Sequence, residues 1–353
     1  MKVGGAAEWL LEPATPEEFR RAVCAAREEG YALHVDGDAG ASADATSAMR
    51  ARSSTRAASG AHAESRSHAA SLAHAASLAS ARGVIRILGG GANLIIDDGE
   101  LPGVVIATDR IKRLFRPEPA RETSALEAEE MSPRRQPLSR EAGLRFVAWC
   151  GVSMPKLVNA AAELGWSGVE CLAGVPGNVG GGIAMNAGGK WGEMWDVVER
   201  VLVIDERGEL VEIAREQCAP RYRNGALGQA IVAAAVLSFR LDELASVKER
   251  GRNYLLEKNR AQPVTESSAG CVFKNPDPHA SGGLSAGKLI EKCGLKGRTR
   301  GDAIGSPLHG NFIVNRGQAR ASDVLALIEE VRAIVAEKTS IVLELEAKIW
   351  RAD

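Results

Sequence analysis

The sequence predicts an α+β protein with more than one domain, and three observations support this. Its 353 residues are too many for a single small core and favour two or three domains. From residue 83 to residue 108, strand-like segments alternate with turns and helices are few. The first glycine run leads into Asn-Leu-Ile-Ile and a turn, where a dinucleotide-binding α/β fold requires a helix.

The composition excludes several classes of protein. Lys and Arg number 44 against 45 Asp and Glu, so the chain lacks the positive charge typical of proteins that bind nucleic acid or anionic membranes. No apolar run approaches the roughly 18 residues of a membrane helix, and the N-terminus lacks a signal-peptide pattern. The six cysteines show no C-x-x-C spacing, which favours reduced thiols. We therefore expect a soluble cytoplasmic protein that binds neither nucleic acid nor membrane.

The individual elements follow from end signals and apolar patterning. Thr15 is suited to the N-cap of a first helix, with Pro16 in the first turn, Glu18 completing a capping box and Gly30 at the end. Later strands are expected at 83–88, 94–96, 103–108, 199–205, 210–214, 230–240, 270–274 and 311–315. Later helices are expected at 154–164, 242–259, 285–293 and 322–337.

The end of the chain, residues 341–349, alternates strictly between apolar and charged residues. This alternation predicts one long strand. Glu344, Glu346 and Lys348 would then share one face of that strand.

Residues 36–82 have low sequence complexity and contain almost no large apolar side chain. Such a segment cannot bury enough area to offset the entropy lost on ordering. We therefore interpret it as a disordered or weakly helical insertion, and we expect residues 38–80 to be dispensable. His62, His68 and His74 have a roughly helical spacing, but they lack carboxylate or thiol co-ligands at fixed spacing, so no metal site is expected.

Two glycine-rich runs, Gly89–Asn93 and Ala173–Gly182, are the main candidates for a ligand site. Glycine lets backbone N–H groups approach a phosphate closely. Neither run ends in Gly-Lys-[Ser/Thr], which excludes a Walker loop. Tight turns without a ligand stay open as an alternative, although two such runs favour a pyrophosphate cradle made of turns between strands.

The glycine runs belong to a series of motifs that resembles the UDP-N-acetylenolpyruvoylglucosamine reductase family (MurB). Each motif alone is weak, but their common order is specific, and the resemblance extends over nearly the whole chain outside the insertion. The motifs are Lys2–Ala7, Leu88–Leu94, Leu172–Gly181, Tyr222–Asn224, Ala269–Pro276, Ala286–Ile290, His309–Asn315 and Leu343–Glu346.

The resemblance implies a flavoenzyme of peptidoglycan precursor synthesis. It implies two α+β subdomains of the vanillyl-alcohol-oxidase (PCMH-like) type that hold FAD, followed by a substrate-binding domain. We expect these parts at residues 1–112, 113–243 and 244–353, with the last strand returning to the active site. In the family, NADPH reduces the flavin and leaves. The enolpyruvyl ether of UDP-N-acetylglucosamine then accepts the hydride and becomes UDP-N-acetylmuramate. We expect a monomer.

Matching the family's motifs position by position implies candidate site residues. Arg223 matches the arginine that stabilises the enolate, Glu346 matches the catalytic glutamate, and Cys271 occupies the position of the serine that donates a proton. The substrate-binding candidates are Lys274, Asn275 and His309. The cofactor-binding candidates lie in and after the glycine runs: Gly89, Gly90, Gly91, Ala92, Asn93, Gly174, Pro176, Gly177, Asn178, Gly180, Gly181 and Asn186.

The sequence departs from the family's pattern in three places. Cys271 replaces the serine proton donor, and Ala92 replaces the serine that usually follows the first glycine run. The chain also begins inside the family's first strand. Without the insertion, its length resembles the shorter form of the family, which lacks the tyrosine-bearing loop over the substrate.

Alternatives stay open on the sequence alone. The chain could be another FAD oxidoreductase of the same fold, against which residues 273–276 and 343–346 argue. It could also be a non-catalytic nucleotide-binding relative, but a thiol at Cys271 still carries an acidic proton. For single residues, Arg223 could form a surface ion pair, His309 could be a core residue and Asn186 could cap a turn.

Overall fold

The structure, a computed structural model, describes residues 4–33, 83–118, 124–126 and 143–352. Most of the predicted insertion, the histidines at its centre and the first two residues of the N-terminal motif lie outside the described residues. Strands and helices are intermixed in the described part of the chain, and this mixed content confirms the α+β class.

The helices and strands follow in chain order. The α-helices are α1 (Pro16–Glu28), α2 (Met154–Leu164), α3 (Val179–Ala184), α4 (Leu244–Ala261), α5 (Pro278–Ser281), α6 (Ala286–Lys292) and α7 (Ala321–Thr339). The first ten strands are β1 (Ala7–Leu11), β2 (Tyr31–Leu33), β3 (Gly83–Leu88), β4 (Leu94–Ile96), β5 (Leu101–Ala107), β6 (Leu114–Phe115), β7 (Arg145–Trp149), β8 (Trp166–Ser167), β9 (Gly188–Gly189) and β10 (Gly192–Glu193). The remaining strands are β11 (Val198–Ile204), β12 (Leu210–Ala214), β13 (Ile231–Ser238), β14 (Arg240–Leu241), β15 (Ser268–Cys271), β16 (Thr299–Arg300), β17 (Ala303–Gly305), β18 (Phe312–Asn315) and β19 (Lys348–Trp350).

The chain divides into two compact units. Of the described residues, the first unit contains 4–8, 91–102 and 255–352. The second unit contains 9–33, 83–90, 103–118, 124–126 and 143–254. The three-part division with boundaries after residues 112 and 243 stays a prediction.

The second unit is built around an antiparallel sheet in the order β12-β11-β13-β7-β6. Strand β13 is buried over seven successive residues, which explains its nearly continuous apolar sequence. A group of aromatic rings lies in this core, with Trp166 stacked on Phe239 at 5.5 Å between ring centroids. Thr15 caps α1 as predicted, because its hydroxyl accepts from the Glu18 N–H at 3.1 Å.

The first unit contains an antiparallel sheet in the order β15-β18-β17-β16 and the long helix α7. The predicted apolar face of α7 is confirmed as its buried face. This face consists of Val324, Leu327, Ile328, Val331 and Val335. Strand β19 pairs in parallel with β4, so the end of the chain lies beside the segment that follows the first glycine run.

The long closing strand predicted over 341–349 is wrong, because only Lys348–Trp350 forms a strand. The carbonyl of Val272 accepts from the N–H groups of both Glu346 and Ala347, at 2.8 and 3.2 Å, which interrupts the pleat. Glu346 is consequently buried, with 9% of its surface exposed, whereas the Glu344 side chain is 74% exposed. The prediction that these two glutamates share one face is therefore wrong as well.

The low-complexity segment separates two strands that pair in parallel. Tyr31 of β2 lies opposite Gly83 of β3, and Leu33 lies opposite Ile85. Adjacent parallel strands need a crossover of about a dozen residues or more, so the connection must keep a minimum length.

We therefore expect that residues 38–80 can be replaced by a Gly/Ser linker of about twelve residues without loss of the fold. Lengthening or shortening a surface connection changes stability only slightly. FAD content and thermal unfolding of the purified variant should match those of the full chain. Loss of FAD or a strongly lowered melting temperature would show that the segment has a structural role.

Asp98 caps helix α7 although it precedes this helix by more than 200 residues. The Arg320 side chain at the N-cap makes no capping hydrogen bond. Instead, the carboxylate of Asp98 accepts from the N–H groups of Ala321 and Ser322, at 2.7 and 3.0 Å. Burial opposes ionisation of this carboxyl, but the two N–H groups, the Ser322 hydroxyl and the positive charge of Arg320 together hold the pKa of Asp98 below its usual value.

Asp98→Ala should lower the free energy of unfolding by about 1 kcal/mol at neutral pH, the usual cost of a lost helix cap. Because the folded pKa is lowered, this stabilisation is present above the unfolded pKa of about 3.9 and is lost as the pH falls through the folded value. Urea unfolding at neutral pH and near pH 3 should show a difference between variant and wild type that shrinks on acidification. Asp109→Ala, in an exposed turn, is the control; an equal loss there, or a difference independent of pH, would contradict the capping role.

Candidate active site

The two glycine runs meet within the second unit. A Cβ atom added to Gly90 would lie 2.8 Å from the Cα of Gly177, so the two backbones are in direct contact. The Asn178 side-chain amide lies between the two runs. In the orientation that satisfies both neighbours, its oxygen accepts from the Gly90 N–H at 3.2 Å and its nitrogen donates to the Gly177 carbonyl at 3.3 Å. The structure thus joins the runs through glycines that leave no space for a side chain.

The second run is held in place by backbone hydrogen bonds to residues 150–154. The N–H of Val179 donates to the Val152 carbonyl, and the N–H of Gly180 donates to the Cys150 carbonyl, both at 2.8 Å. A Cβ at Gly180 would lie only 2.7 Å from the Cβ of Cys150, so packing requires this glycine.

The turn that contains Pro176 lies between two further glycines of this run. Gly174 precedes it with φ of +73°, and Gly177 follows it with φ of +97°. Both values fall in a backbone conformation that favours glycine. The shape of this turn therefore explains the two glycines without reference to a ligand.

Other glycines of the runs face open space. A Cβ at Gly89, Gly91 or Gly181 would meet no heavy atom within 4 Å. Gly91 has φ of +64°, which favours glycine, but neither packing nor φ explains glycine at Gly89 and Gly181. Bare backbone beside open space is the arrangement in which N–H groups can approach a phosphate. Gly89 and Gly181, both in the second unit, could therefore hold the pyrophosphate of FAD.

Asn186 follows the second run and is buried, with 3% of its surface exposed. Its amide nitrogen donates to the Glu193 carboxylate and to the Arg221 carbonyl, and its amide oxygen accepts from the Trp195 N–H at 3.3 Å. Its φ of +45° lies in the left-handed region. This geometry supports the turn-capping alternative, and contact with the flavin stays a prediction.

Arg223 lies in a tight turn of the second unit. The Arg221 N–H donates to the Asn224 carbonyl at 2.7 Å, and the Asn224 N–H donates back to the Arg221 carbonyl at 3.0 Å. The guanidinium of Arg223 donates to the Gly188 carbonyl at 3.2 Å and lies 4.9 Å from the centre of the Tyr222 ring. The turn and these two contacts orient the half-buried guanidinium.

In the first unit, Asn93 links the end of the first glycine run to Glu346. The Asn93 amide donates to the Glu346 carbonyl at 2.9 Å, and the Lys348 N–H donates to the Asn93 carbonyl, also at 2.9 Å. A Cβ at Gly270 would lie 3.8 Å from the carbonyl oxygen of Ala92. Residues 92–93 are therefore close both to Glu346 and to the residue before Cys271.

Cys271 and Glu346 lie on neighbouring segments of the first unit. The Glu346 N–H donates to the carbonyl of Val272 at 2.8 Å, and the Lys274 N–H donates to the carbonyl of Glu344 at 2.8 Å. The Lys274 ammonium lies 3.5 Å from the Glu344 carboxylate. Cys271 carries a half-buried thiol. The structure therefore brings together two of the three catalytic candidates and one substrate-binding candidate.

The two other substrate-binding candidates also lie in the first unit. The side-chain oxygen of Asn275 accepts from the Ala286 N–H at 3.1 Å, at the beginning of α6. Nδ1 of His309 accepts from the Asn311 N–H at 3.2 Å. Burial, and then the positive charge of Lys296, hold the pKa of His309 below its usual value. His309 is therefore neutral at pH 7, with its proton on Nε2.

Asn311 was not among the candidate site residues, yet it contacts one of them, His309, and the two residues that follow Cys271. It is 3% exposed, and its side chain hydrogen-bonds both backbone polar groups of Phe273. The sequence carries one weak signal of this role, an asparagine next to the buried apolar run Phe312–Val314. In the described residues, no group of three or more His, Cys, Asp or Glu is arranged to hold a metal ion. Within that same part of the chain, no helix is long and apolar enough to cross a membrane.

Two protein-family models match this chain, one in its N-terminal and middle part and one in its C-terminal part. Residues 65–214 match the family model of the FAD binding domain. Residues 262–350 match the model described as UDP-N-acetylenolpyruvoylglucosamine reductase, C-terminal domain. The FAD-binding match begins within the segment interpreted as an insertion.

Full-length relatives and a solved structure give the same result. The chain is 39% identical to the UDP-N-acetylenolpyruvoylglucosamine reductase of Oleidesulfovibrio alaskensis, over 76% of this chain and 84% of the relative. It is 36% identical to the protein of the same name from Deinococcus radiodurans, over 75% and 83% of the two chains. The crystal structure of UDP-N-acetylenolpyruvylglucosamine reductase (MurB) from Thermus caldophilus is 34% identical, with a TM-score of 0.58 over 75% of this chain and 85% of that one. With similarity of this extent, the chain belongs to the UDP-N-acetylenolpyruvoylglucosamine reductase family.

Proposed function

We propose that the protein is a UDP-N-acetylmuramate dehydrogenase. It reduces the enolpyruvyl ether of UDP-N-acetylglucosamine to UDP-N-acetylmuramate in peptidoglycan precursor synthesis, with FAD as cofactor and NADPH as reductant. The observation that carries this proposal is the hydrogen-bonded pairing of the Cys271 and Glu346 segments. This pairing places a thiol and a buried carboxyl group on adjoining backbone, next to Lys274.

The glycine runs would hold the cofactor. Backbone beside Gly89 and Gly181 is open to a ligand, while the contact between Gly90 and Gly177 keeps the two runs together. When bound, FAD accepts a hydride from NADPH and delivers it to C3 of the enolpyruvyl group. The serine hydroxyl that usually follows the first run is absent at Ala92, so binding of the pyrophosphate depends on backbone N–H groups.

Delivery of a hydride to C3 leaves negative charge on C2 and the adjoining carboxylate, as an enolate. Oriented cationic groups and acidic hydrogen-bond donors lower the free energy of such a transition state most effectively when they are preorganised. The Arg223 guanidinium is oriented by the Gly188 carbonyl and the Tyr222 ring. The backbone of Glu346 is held by two hydrogen bonds: its N–H donates to the Val272 carbonyl, and its carbonyl accepts from the Asn93 amide. We assign both side chains to the enolpyruvyl group.

Cys271 supplies the proton that completes the reaction. The S–H bond breaks, C2 of the enolate gains the proton, and the thiolate recovers a proton from solvent. A free thiol has a pKa of about 8.5, far below that of an aliphatic hydroxyl, so it is the easier proton source. Because Cys271 is half-buried, solvent can return that proton.

The nucleotide part of the substrate is assigned to Lys274, Asn275 and His309. Neutral His309 presents Nε2–H as a donor to an acceptor oxygen of the UDP group, and Lys274 brings positive charge. We assign the reaction to a cytoplasmic monomer without nucleic-acid or membrane partners. The near balance of 44 basic and 45 acidic residues supports only the absence of nucleic-acid and anionic-membrane partners.

Anaerobic half-reactions test the proposed function. The purified protein should be yellow, should be bleached by NADPH, and should regain its colour when the UDP-enolpyruvyl sugar is added. A colourless protein that takes up no FAD, or a reduced protein that the sugar does not reoxidise, would overturn the proposal.

Arg223→Ala and Glu346→Gln should slow the second half-reaction selectively, because the enolate forms only after hydride reaches the sugar. Loss of one oriented group should reduce the reoxidation rate by about 10²–10³-fold and leave flavin reduction by NADPH nearly unchanged. Stopped-flow absorbance measures both rates. Arg207→Ala and Glu337→Gln change the same charges at exposed positions and should affect neither half-reaction. Equal slowing of both half-reactions would assign Arg223 and Glu346 a general structural role instead.

Cys271→Ser should retain measurable turnover, because serine can still donate a proton, and should resist peroxide better than the wild type. Peroxide formed from reduced flavin and oxygen oxidises thiolates to sulfenic acid and beyond. Cys271→Ala should oxidise NADPH but release no UDP-N-acetylmuramate, measured by chromatography of the products. Cys218→Ser is the matched control, because burial raises the pKa of the Cys218 thiol to about 11 and keeps it protonated. Full product formation by Cys271→Ala would exclude the thiol from the mechanism.

A further inference from the structure

Asn311 uses all four of its polar groups within the first unit. Its backbone N–H donates to Nδ1 of His309 at 3.2 Å, and its backbone carbonyl accepts from the Val272 N–H at 2.9 Å. Its side-chain nitrogen donates to the Phe273 carbonyl at 2.7 Å, and its side-chain oxygen accepts from the Phe273 N–H at 2.9 Å. One buried residue therefore joins the turn at residues 306–310, called here the His309 turn, to the segment that follows Cys271.

The same segment is held from its other side by the end of the chain. Val272 accepts from the Glu346 N–H, and Lys274 donates to the Glu344 carbonyl. Phe273 lies directly opposite Leu345. Residues 272–274 are therefore fixed between Asn311 and residues 344–346, with Cys271 at one end and Lys274 at the other.

The His309 turn is fixed just as closely. The hydroxyl of Ser306, which is fully buried, accepts from the N–H groups of Leu308 and His309, at 3.2 and 3.3 Å. A Cβ at Gly310 would lie 2.5 Å from the Gly287 carbonyl oxygen, so α6 packs closely on this turn. The Asn311 N–H selects the tautomer of His309 in which Nε2 carries the proton.

We infer that Asn311 is a positioning residue for the second half-reaction: its side chain sets the position of residues 271–274 relative to Glu346, and its N–H sets the donor face of His309. This inference rests on the proposed function. No atom of Asn311 needs to touch the sugar, since it acts through Cys271, Lys274 and His309. Displacement of reacting groups by about 1 Å can cost about 10²-fold in rate.

The test is Asn311→Ala, compared with Asn315→Ala at the end of strand β18, the strand that begins directly after Asn311. Asn315 also accepts from backbone N–H groups, those of Gly317 and Ala319, but these bonds close a turn away from residues 271–274. We expect Asn311→Ala to slow reoxidation by the UDP-enolpyruvyl sugar about 10- to 100-fold. Its FAD content and its flavin reduction by NADPH should stay within about twofold of wild type. Asn315→Ala should reoxidise at the wild-type rate.

Two further readouts separate positioning from loss of stability. Binding of the sugar to oxidised protein, followed by the change in flavin absorbance, should weaken less than the limiting reoxidation rate falls. If Asn311→Ala does not fold, Asn311→Asp replaces it, because a carboxylate still accepts from the Phe273 N–H but cannot donate to the Phe273 carbonyl. A protonated carboxyl group can donate, so the ratio of the reoxidation rate to the reduction rate should recover in Asn311→Asp as the pH falls.

The outcomes are distinguishable. Wild-type protein that the sugar does not reoxidise would overturn the proposed function itself. Wild-type protein that reoxidises normally, together with an Asn311→Ala variant that does the same, would overturn only the role of Asn311. Equal slowing of both half-reactions in Asn311→Ala would also overturn the role of Asn311. So would a ratio of the reoxidation rate to the reduction rate that does not change with pH in Asn311→Asp.

Discussion

Hydrogen bonds to the backbone of residues 272–274 connect most of the candidate active site in the first unit. Both polar groups of Val272 and of Phe273 and the N–H of Lys274 have partners, supplied by Asn311 and by residues 344–347. Val272 and Phe273 are almost completely buried. A buried polar group without a partner costs about 1–3 kcal/mol, so these bonds strongly constrain the segment. The positions of Cys271 and Lys274 depend on this constraint.

Some glycines of the two runs are required by close packing, and others lie beside open space. The sequence alone does not distinguish these two kinds of glycine. Gly90 and Gly180 are required because another backbone or a Cβ lies within 3 Å of the place a side chain would occupy, and glycine at 177 is favoured by its φ of +97°. Gly89 and Gly181 face open space, and neither packing nor a positive φ requires glycine there. Close packing brings the runs together, and the open positions leave backbone available to a phosphate.

The formal net charge of the chain is only -1, and individual charges act on the groups next to them. Asp98 keeps its negative charge at the first turn of α7, where the N–H groups of the helix stabilise it. His309 is held neutral by burial and by nearby lysines, which preserves Nε2–H as a donor.

Local signals in the sequence predicted five of the seven α-helices and eight of the 19 strands in the described residues. The N-cap of α1, the end of α2 at Gly165 and the buried face of α7 follow from residues within a few positions of one another. The motifs likewise sufficed to identify the family and the candidate residues, because each motif is continuous in the chain. The burial of Glu346, the helix cap from Asp98 and the four hydrogen bonds of Asn311 could not be predicted. Apart from the bond between Asn311 and His309, they depend on residues tens to hundreds of positions apart, which only the tertiary structure brings within hydrogen-bonding distance.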